Sequence, residues 1–403
     1  MKKLYKKYYR AEVSFKNTFI SEWNAIKSDK AVISTFFLVA FVLLMVYTYI
    51  YTKEVITEVP VAVINLDATK TSRDYIAMLN ASEGIKTITS YTDIQEAKLD
   101  YYAKKVMGIV IIPKNFEKDL RSSKQTTITS FSDASNMLFY KKVLVDVTVT
   151  TGNFNAGVFI KKEMSKGTPI TISKQNYVPI QTISTSLFNT SSGYGTYLIP
   201  IITALIIQLV ILMGIGILNG SRKEDKTIHS NFPRLLHKGG TIPVLLAKSS
   251  LYSLIFAVIL PIQIGIIYTI FSIPIRTSLL LVYLFSIPYL TSVIFLGIAI
   301  SAFFKRREDS IVFLVLLSIP SLMLSGLSFP MEGFSSFYQQ LAKLLPSTSG
   351  ITGFVKLTQM EASFNQVLND WYHLWLLTII YFFCAAITLK VRASREKTKL
   401  RNQ

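Results

Sequence analysis

Six stretches of the chain are apolar enough and long enough to cross a bilayer: Ala31–Ile50, Leu198–Leu218, Leu251–Phe271, Ser278–Phe304, Ile311–Phe329 and Tyr372–Leu389. Each approaches the roughly 20 residues with which a helix spans a hydrocarbon core of about 30 Å. The segment 52–197 has a different rhythm. Short β-branched or alternating runs at Val59–Leu66, Gly84–Tyr91, Gly108–Ile112 and Thr126–Phe131 predict strands. Between them, helical patterns occupy Thr71–Leu79, Asp93–Val106 with Thr92 as N-cap, Asn115–Arg121 behind Pro113, and Met137–Met164. A last strand is expected at Thr168–Ile172. Strands alternating with helices imply a sheet with helices packed on it.

Ahead of the first apolar run, Phe15, Phe19, Trp23 and Ile26 recur on one helical stripe, while Lys16, Asn17, Asn24 and Lys27 take other faces. This is the pattern of a basic amphipathic helix lying in a membrane interface. The expected architecture is an α-helical membrane protein with six transmembrane helices, a re-entrant outer hairpin, and an α/β extracytoplasmic domain between the first and second helices. Residues 1–30 form the interfacial helix and 31–51 the first span. Residues 52–197 form the α/β domain, and 198–403 the five-helix membrane domain with its basic loops and tail.

Composition agrees: half of the 403 residues are hydrophobic. The net charge of +19 matters through its location. Residues 1–30, 219–241, 305–310 and 390–403 hold 22 of the 43 Lys and Arg residues and only 8 of the 24 acids. Alternating six spans from a cytoplasmic N-terminus puts all four basic stretches on one side, as the positive-inside rule requires. Both termini are therefore expected in the cytoplasm, and short basic flanks of this kind exclude a nucleic-acid groove.

No phosphate-binding loop of the form GxxxxGK[ST] occurs, so the chain has no ATPase site of that type. It also lacks the GxSxG, HExxH, CxxC and GxGxxG patterns. The single cysteine, Cys384, leaves no intrachain disulfide to hold the α/β domain, and three scattered histidines do not suggest a metal site. No Asp or Glu lies inside the six apolar runs, which argues against ion-coupled transport. The polar residues at membrane depth are Gln208, Gln263 and Lys248, the last expected to snorkel to the cytoplasmic interface.

The fifth apolar run reads IPSLMLSGLSFPMEGF from Ile319. Pro320, Phe329 and Pro330 mark a break there, with Gly326 between them. Such breaks survive at membrane depth only where protein or a water-filled cavity covers the freed backbone. A second amphipathic stretch, Phe334–Leu345, follows without crossing.

This stretch, with Pro346 after it, resembles the signature of ABC exporter permeases of the type-2 class through Pro320, Leu324, Ser325, Gly326, Phe329, Pro330 and Pro346. GIAISAFFKRREDS from Gly297, VPVAVINLDATKTSR from Val59, GIVIIPKNFEKDL from Gly108, FSDASN from Phe131 and LFNTSSGYGTYLIP from Leu187 are similar to further pieces of the long members, in the same order. Ser221–Thr227 departs from the family pattern by placing Lys226 where glycine is expected.

The resemblance implies the permease subunit of an ATP-driven exporter in the inner membrane. Its partners would be a separate ABC ATPase subunit that carries the ATP and a second permease half, identical or different. A periplasmic adaptor joins them in many long members. The chain itself would bind no cofactor. The loop after the second span mixes Arg222, Lys223, Glu224 and Asp225 with apolar residues such as Phe232, which suits a short helix seated in an ATPase cleft. The translocation path would run past Gln208, Ser325 and Gly326 and take an amphiphilic substrate. The alternative is a non-transport envelope protein with the same architecture, such as a phage receptor or a secretion-apparatus component.

Overall fold

The computed structural model describes residues 2–178, 185–190, 192–224, 240–326 and 329–401. The chain divides into two compact units, Met1–Glu54 with Ser186–Gln403, and Val55–Thr185. The first unit opens with α1 (Lys2–Ser28) and α2 (Lys30–Ile50), the latter carrying a π-helical stretch over Ser34–Val39. Asp29 separates the two helices. Its carboxylate accepts from the backbone N–H groups of Ala31 and Val32 and caps α2.

The second unit is a four-stranded sheet with helices on both faces. Its elements are β1 (Val59–Asn65), α3 (Lys70–Asn80), β2 (Ile85–Ile88), α4 (Ile94–Tyr102), β3 (Gly108–Ile112), α5 (Phe116–Arg121), β4 (Thr129–Ser132), α6 (Met137–Ser165) and α7 (Ile170–Tyr177). The strand order is β2-β1-β3-β4, with β1 parallel to both neighbours and β4 antiparallel to β3. The apolar run of β1 explains its central place, because a strand covered on both faces needs apolar residues at every position. Val59, Val61 and Val63 pack with Tyr75, Leu79, Phe116 and Val143. The intervening Ala62 and Ile64 face the opposite way, toward Ala97, Val106 and Ile109.

Two local expectations are corrected. Thr168–Ile172 does not return as a strand; Pro169 fixes the chain at the start of α7, and Ser173 is buried against it by bonding to the Pro169 carbonyl. The N-cap of α4 is Asp93 rather than Thr92, since the carboxylate accepts from the N–H groups of Ile94 and Gln95.

The first unit resumes with α8 (Tyr194–Glu224), α9 (Thr241–Tyr268), α10 (Leu279–Ser301), α11 (Arg307–Met323), α12 (Ser336–Lys343), α13 (Pro346–Gln359) and α14 (Leu368–Arg401). Six described helices are long and apolar enough to cross a membrane. Five coincide with expected spans. The sixth is α6, whose Val143 and Val147 pack in the core of the α/β unit. The remaining expected span, Ile311–Phe329, takes shape as α11, whose 17 residues extend about 25 Å. Helix α8 is the centre of the unit: 89% of its apolar window is buried, against 33% for α2.

Candidate functional site

Helix α1 turns a polar stripe inward. Ser14, Thr18 and Glu22, spaced four apart, are 1%, 3% and 2% exposed, while Phe15 and Trp23 stay exposed and Lys27 lies over the Trp23 ring at 4.8 Å. The aromatic stripe read from the sequence is therefore split. Ile26 is buried in the helical core, Phe19 packs on its edge, and Phe15 and Trp23 face outward.

The Glu22 carboxylate is the centre of a buried cluster. Arg222, in the last turn of α8, approaches it at 2.7 Å and Lys248 of α9 at 3.2 Å. The Tyr252 hydroxyl, one turn along α9 from Lys248, donates to it at 2.6 Å. Burial would push this carboxyl up. The charges of Arg222 and Lys248, with hydrogen bonds from Tyr252 and Arg222, outweigh burial and hold it down to about 2. Lys248 does not snorkel outward as expected. Its ammonium is drawn onto Glu22, because a paired ion costs far less to bury than a lone one.

The neighbouring helix ends join the same region. Lys223 donates to the carbonyls of Ala302 and Phe304, and Asn219 donates to Ser301 at 2.8 Å. Arg307, at the start of α11, donates to Ser221 at 2.7 Å and lies 3.5 Å from Asp29 and 4.0 Å from Glu224. Of the five residues expected to couple to an ATPase, Arg222 and Lys223 point into this cluster and Glu224 lies at its rim. Asp225 and Phe232 lie outside the described residues.

A second polar seam runs between α8, α11 and α13. Gln208 is fully buried and donates to Ser321 of α11 at 3.3 Å; its Oε1 has no partner among the described residues. Ser325 is also buried, and its hydroxyl turns back to the Leu322 carbonyl. The chain leaves α11 at this point. Gly326 takes φ +79°, a conformation that side-chain-bearing residues rarely adopt.

The break is thus at Gly326 and not at Pro320. Helix α11 continues three residues past Pro320, and the Leu324 N–H donates to the Pro320 carbonyl at 2.8 Å. A proline removes one donor and bends the ladder, and the ladder resumes beyond it. Phe329 and Pro330 follow as exposed residues; the Phe329 ring sits 5.5 Å from that of Phe334, and Pro330 leads into a tight turn at Met331–Gly333.

The sequence pattern assigns no element between Leu345 and Tyr372, where α13 forms. Twelve of its fourteen residues are buried. Its Thr348 hydroxyl serves two helix ends, donating to the Leu324 carbonyl after α11 at 3.3 Å and to the Ala342 carbonyl near the end of α12 at 2.6 Å. Its glycines admit aromatic rings from α10. A Cβ on Gly350 would stand 2.3 Å from the Tyr289 ring, and one on Gly353 would stand 2.1 Å from the Phe285 ring. Glu22, Tyr252 and Thr348 were also missed. The available signal was modest: Glu22 shares a helical stripe with Ser14 and Thr18, and Pro346 is well placed to open a helix.

The family model of the ABC-2 family transporter protein matches residues 30–387, nearly the whole chain. The chain belongs to the ABC-2 transporter family. It is accordingly the multi-pass membrane permease of an ABC transporter, and the ATPase of such a transporter is a partner subunit. A comparison with curated proteins returned no match. In the ABC-2 context the two polar constellations differ in kind. The Glu22 cluster joins helix ends, whereas the Gln208–Ser321 seam lies where α8 and α11 pack, beside the glycine turn that ends α11.

The α/β unit has a cavity of about 580 Å³ between α3, α5 and α6. Met78, Leu120, Phe154 and Val158 are its apolar lining, and Asp74 and Lys161 are among the charged residues that line it.

Proposed function

We propose that this chain is the permease subunit of an ATP-driven exporter that moves an amphiphilic substrate outward across the inner membrane. One observation carries the orientation. The basic ends of α1, α8, α9 and α11 converge in one cluster through Glu22, Asp29, Arg222, Lys248 and Arg307. Positive residues collect on the cytoplasmic side, so that end of the helical unit lies inside, together with the N- and C-termini. At the other end, the Glu54 carboxylate accepts from the Thr196 N–H and hydroxyl, joining the end of α2 to the start of α8. The insert between those two helices is then extracytoplasmic.

The ATPase subunit meets the connection 225–239 on the inner side, with Glu224, Asp225 and Phe232 at the contact and Arg222 and Lys223 bracing it from within. A second permease half, the same chain or a related one, completes the path past Gln208, Ser325 and Gly326. Helices α12 and α13 form the re-entrant hairpin on the outer side. Buried hydroxyls and amides without carboxylates suit an amphiphile better than a bare ion. The α/β cavity offers such cargo both apolar and charged lining residues, and a periplasmic adaptor can dock on the same unit.

The test is co-purification. The tagged chain should bring down an ATPase subunit whose hydrolysis changes when Glu224 and Asp225 are reversed to Lys. A chain that purifies alone under conditions preserving other ABC complexes would leave the envelope-protein alternative standing.

A further inference from the structure

Glu22 touches both helices that flank the connection 225–239. Arg222 stands in the last turn of α8 before it, and Lys248 and Tyr252 stand about two and three turns into α9 after it. One carboxylate therefore bonds to both stems, from a helix that precedes the first apolar segment. The contact is shielded: Glu22 and Lys248 are each 2% exposed and Arg222 is 18% exposed. Removing one partner of such a cluster leaves a buried charge uncompensated, so the three elements resist separation. Away from this stripe α1 leaves Ile20 and Trp23 exposed, side chains suited to the depth of lipid headgroups.

We propose that Glu22 is a positioning residue that locks α1 to both α8 and α9, so that the interfacial helix and the near ends of those two helices move as one body when the ATPase acts. The moving half of this statement rests on the permease reading above; the lock does not. Ser14 and Thr18 extend the same buried stripe along α1, and Glu22 is the charged residue of that stripe.

The experiment uses the full chain in lipid nanodiscs, alone and with its ATPase subunit. In the chain alone, Glu22→Gln should raise amide exchange across residues 14–26 about tenfold or more, with the sheet of the α/β unit unchanged. The swap Glu22→Lys with Arg222→Glu should bring the exchange back toward the wild-type rate. In the complex, with Cys384→Ser as background, a spin label at Asn24→Cys should shift between nucleotide-free and ATP–vanadate states. Glu22→Gln should abolish that shift while a label at Leu246→Cys on α9 still responds.

Unchanged exchange of α1 in Glu22→Gln, or an Asn24 label that still follows nucleotide in that variant, overturns the proposal. Should Glu22→Gln not fold, Tyr252→Phe removes one bond to the same carboxylate and keeps every charge. It should raise exchange in α1 by a smaller factor, and no rise there overturns the lock. A wild-type complex in which neither label responds to nucleotide defeats the proposed coupling to the ATPase, and the exchange arm then decides the lock by itself.

Discussion

Glu22 and Lys248 stand 226 positions apart in the chain, yet their carboxylate and ammonium meet at 3.2 Å with both side chains 2% exposed. Each charge makes the other's burial tolerable, and Arg222 and Tyr252 complete the set. Four consequences of the fold can be measured.

The carboxyl of Glu22 is held down to about 2, below its ordinary value of 4.5. A lowered carboxyl contributes stability that is present above the ordinary value and lost only as pH falls toward the folded one. The groups facing it, Arg222, Lys248 and Tyr252, are cations or donors in this acidic range, so the docking of α1 should not titrate between pH 6.5 and pH 5. A spin label at Asn24 should report constant mobility over that range. An inflection near pH 5–6 would show that the carboxyl is unpaired.

Gly326 tolerates its positive φ only because it lacks a Cβ, and an added Cβ would also stand 2.7 Å from the Met331 side chain. Gly326→Ala should therefore cost about 1–2 kcal/mol from backbone strain alone. Thr348→Val, which strips the hydroxyl from the carbonyls of Leu324 and Ala342, should cost about 1–3 kcal/mol. Thermal unfolding in detergent measures both. A Gly326→Ala protein as stable as wild type would contradict the turn.

Gly353 meets the Phe285 ring, so Gly353→Leu should disturb the seating of α13 against α10 and cost about 3 kcal/mol or more. The second change Phe285→Ala should recover part of that loss by making room. Measuring the single and double variants separates a steric contact from a general effect of leucine, and additive losses would place the two residues apart.

Orientation is open to labelling. With Cys384→Ser as background, Ser122→Cys on the exposed end of α5 should react with an impermeant thiol reagent in cells whose outer barrier has been opened. Ser28→Cys, at the end of α1, should react only after lysis. The reverse pattern would invert the inside-positive assignment.

Much of the fold was legible in the chain because it depends on local pattern. Gly108–Ile112 is a short apolar run bounded by Gly and Pro, and it forms β3 over those same residues. The uncharged run from Leu198 lies within α8, the most buried of the long apolar helices. Helix α13 was not legible, since Ser347, Thr348, Gly350 and Gly353 look like loop residues until the rings of Tyr289 and Phe285 are known to fill the space beside them. Pro320 misled for a similar reason. It has the chemistry of a breaker, and only the surrounding packing shows that α11 runs through it and turns at Gly326.

By itself the sequence determined which segments are apolar enough to lie in a membrane, where the α/β insert falls between them, and which helix ends carry the positive charge. Those properties follow from hydrophobic period and charge placement over spans of a few turns, and no distant residue can change them. Only the tertiary structure decided that the inward face of α1 is polar, that Lys248 ends on Glu22, and that the hydroxyl of Thr348 closes the end of α11. A buried polar group must find a partner, but its identity depends on which helices pack side by side, and residues 226 positions apart carry no local mark of that pairing.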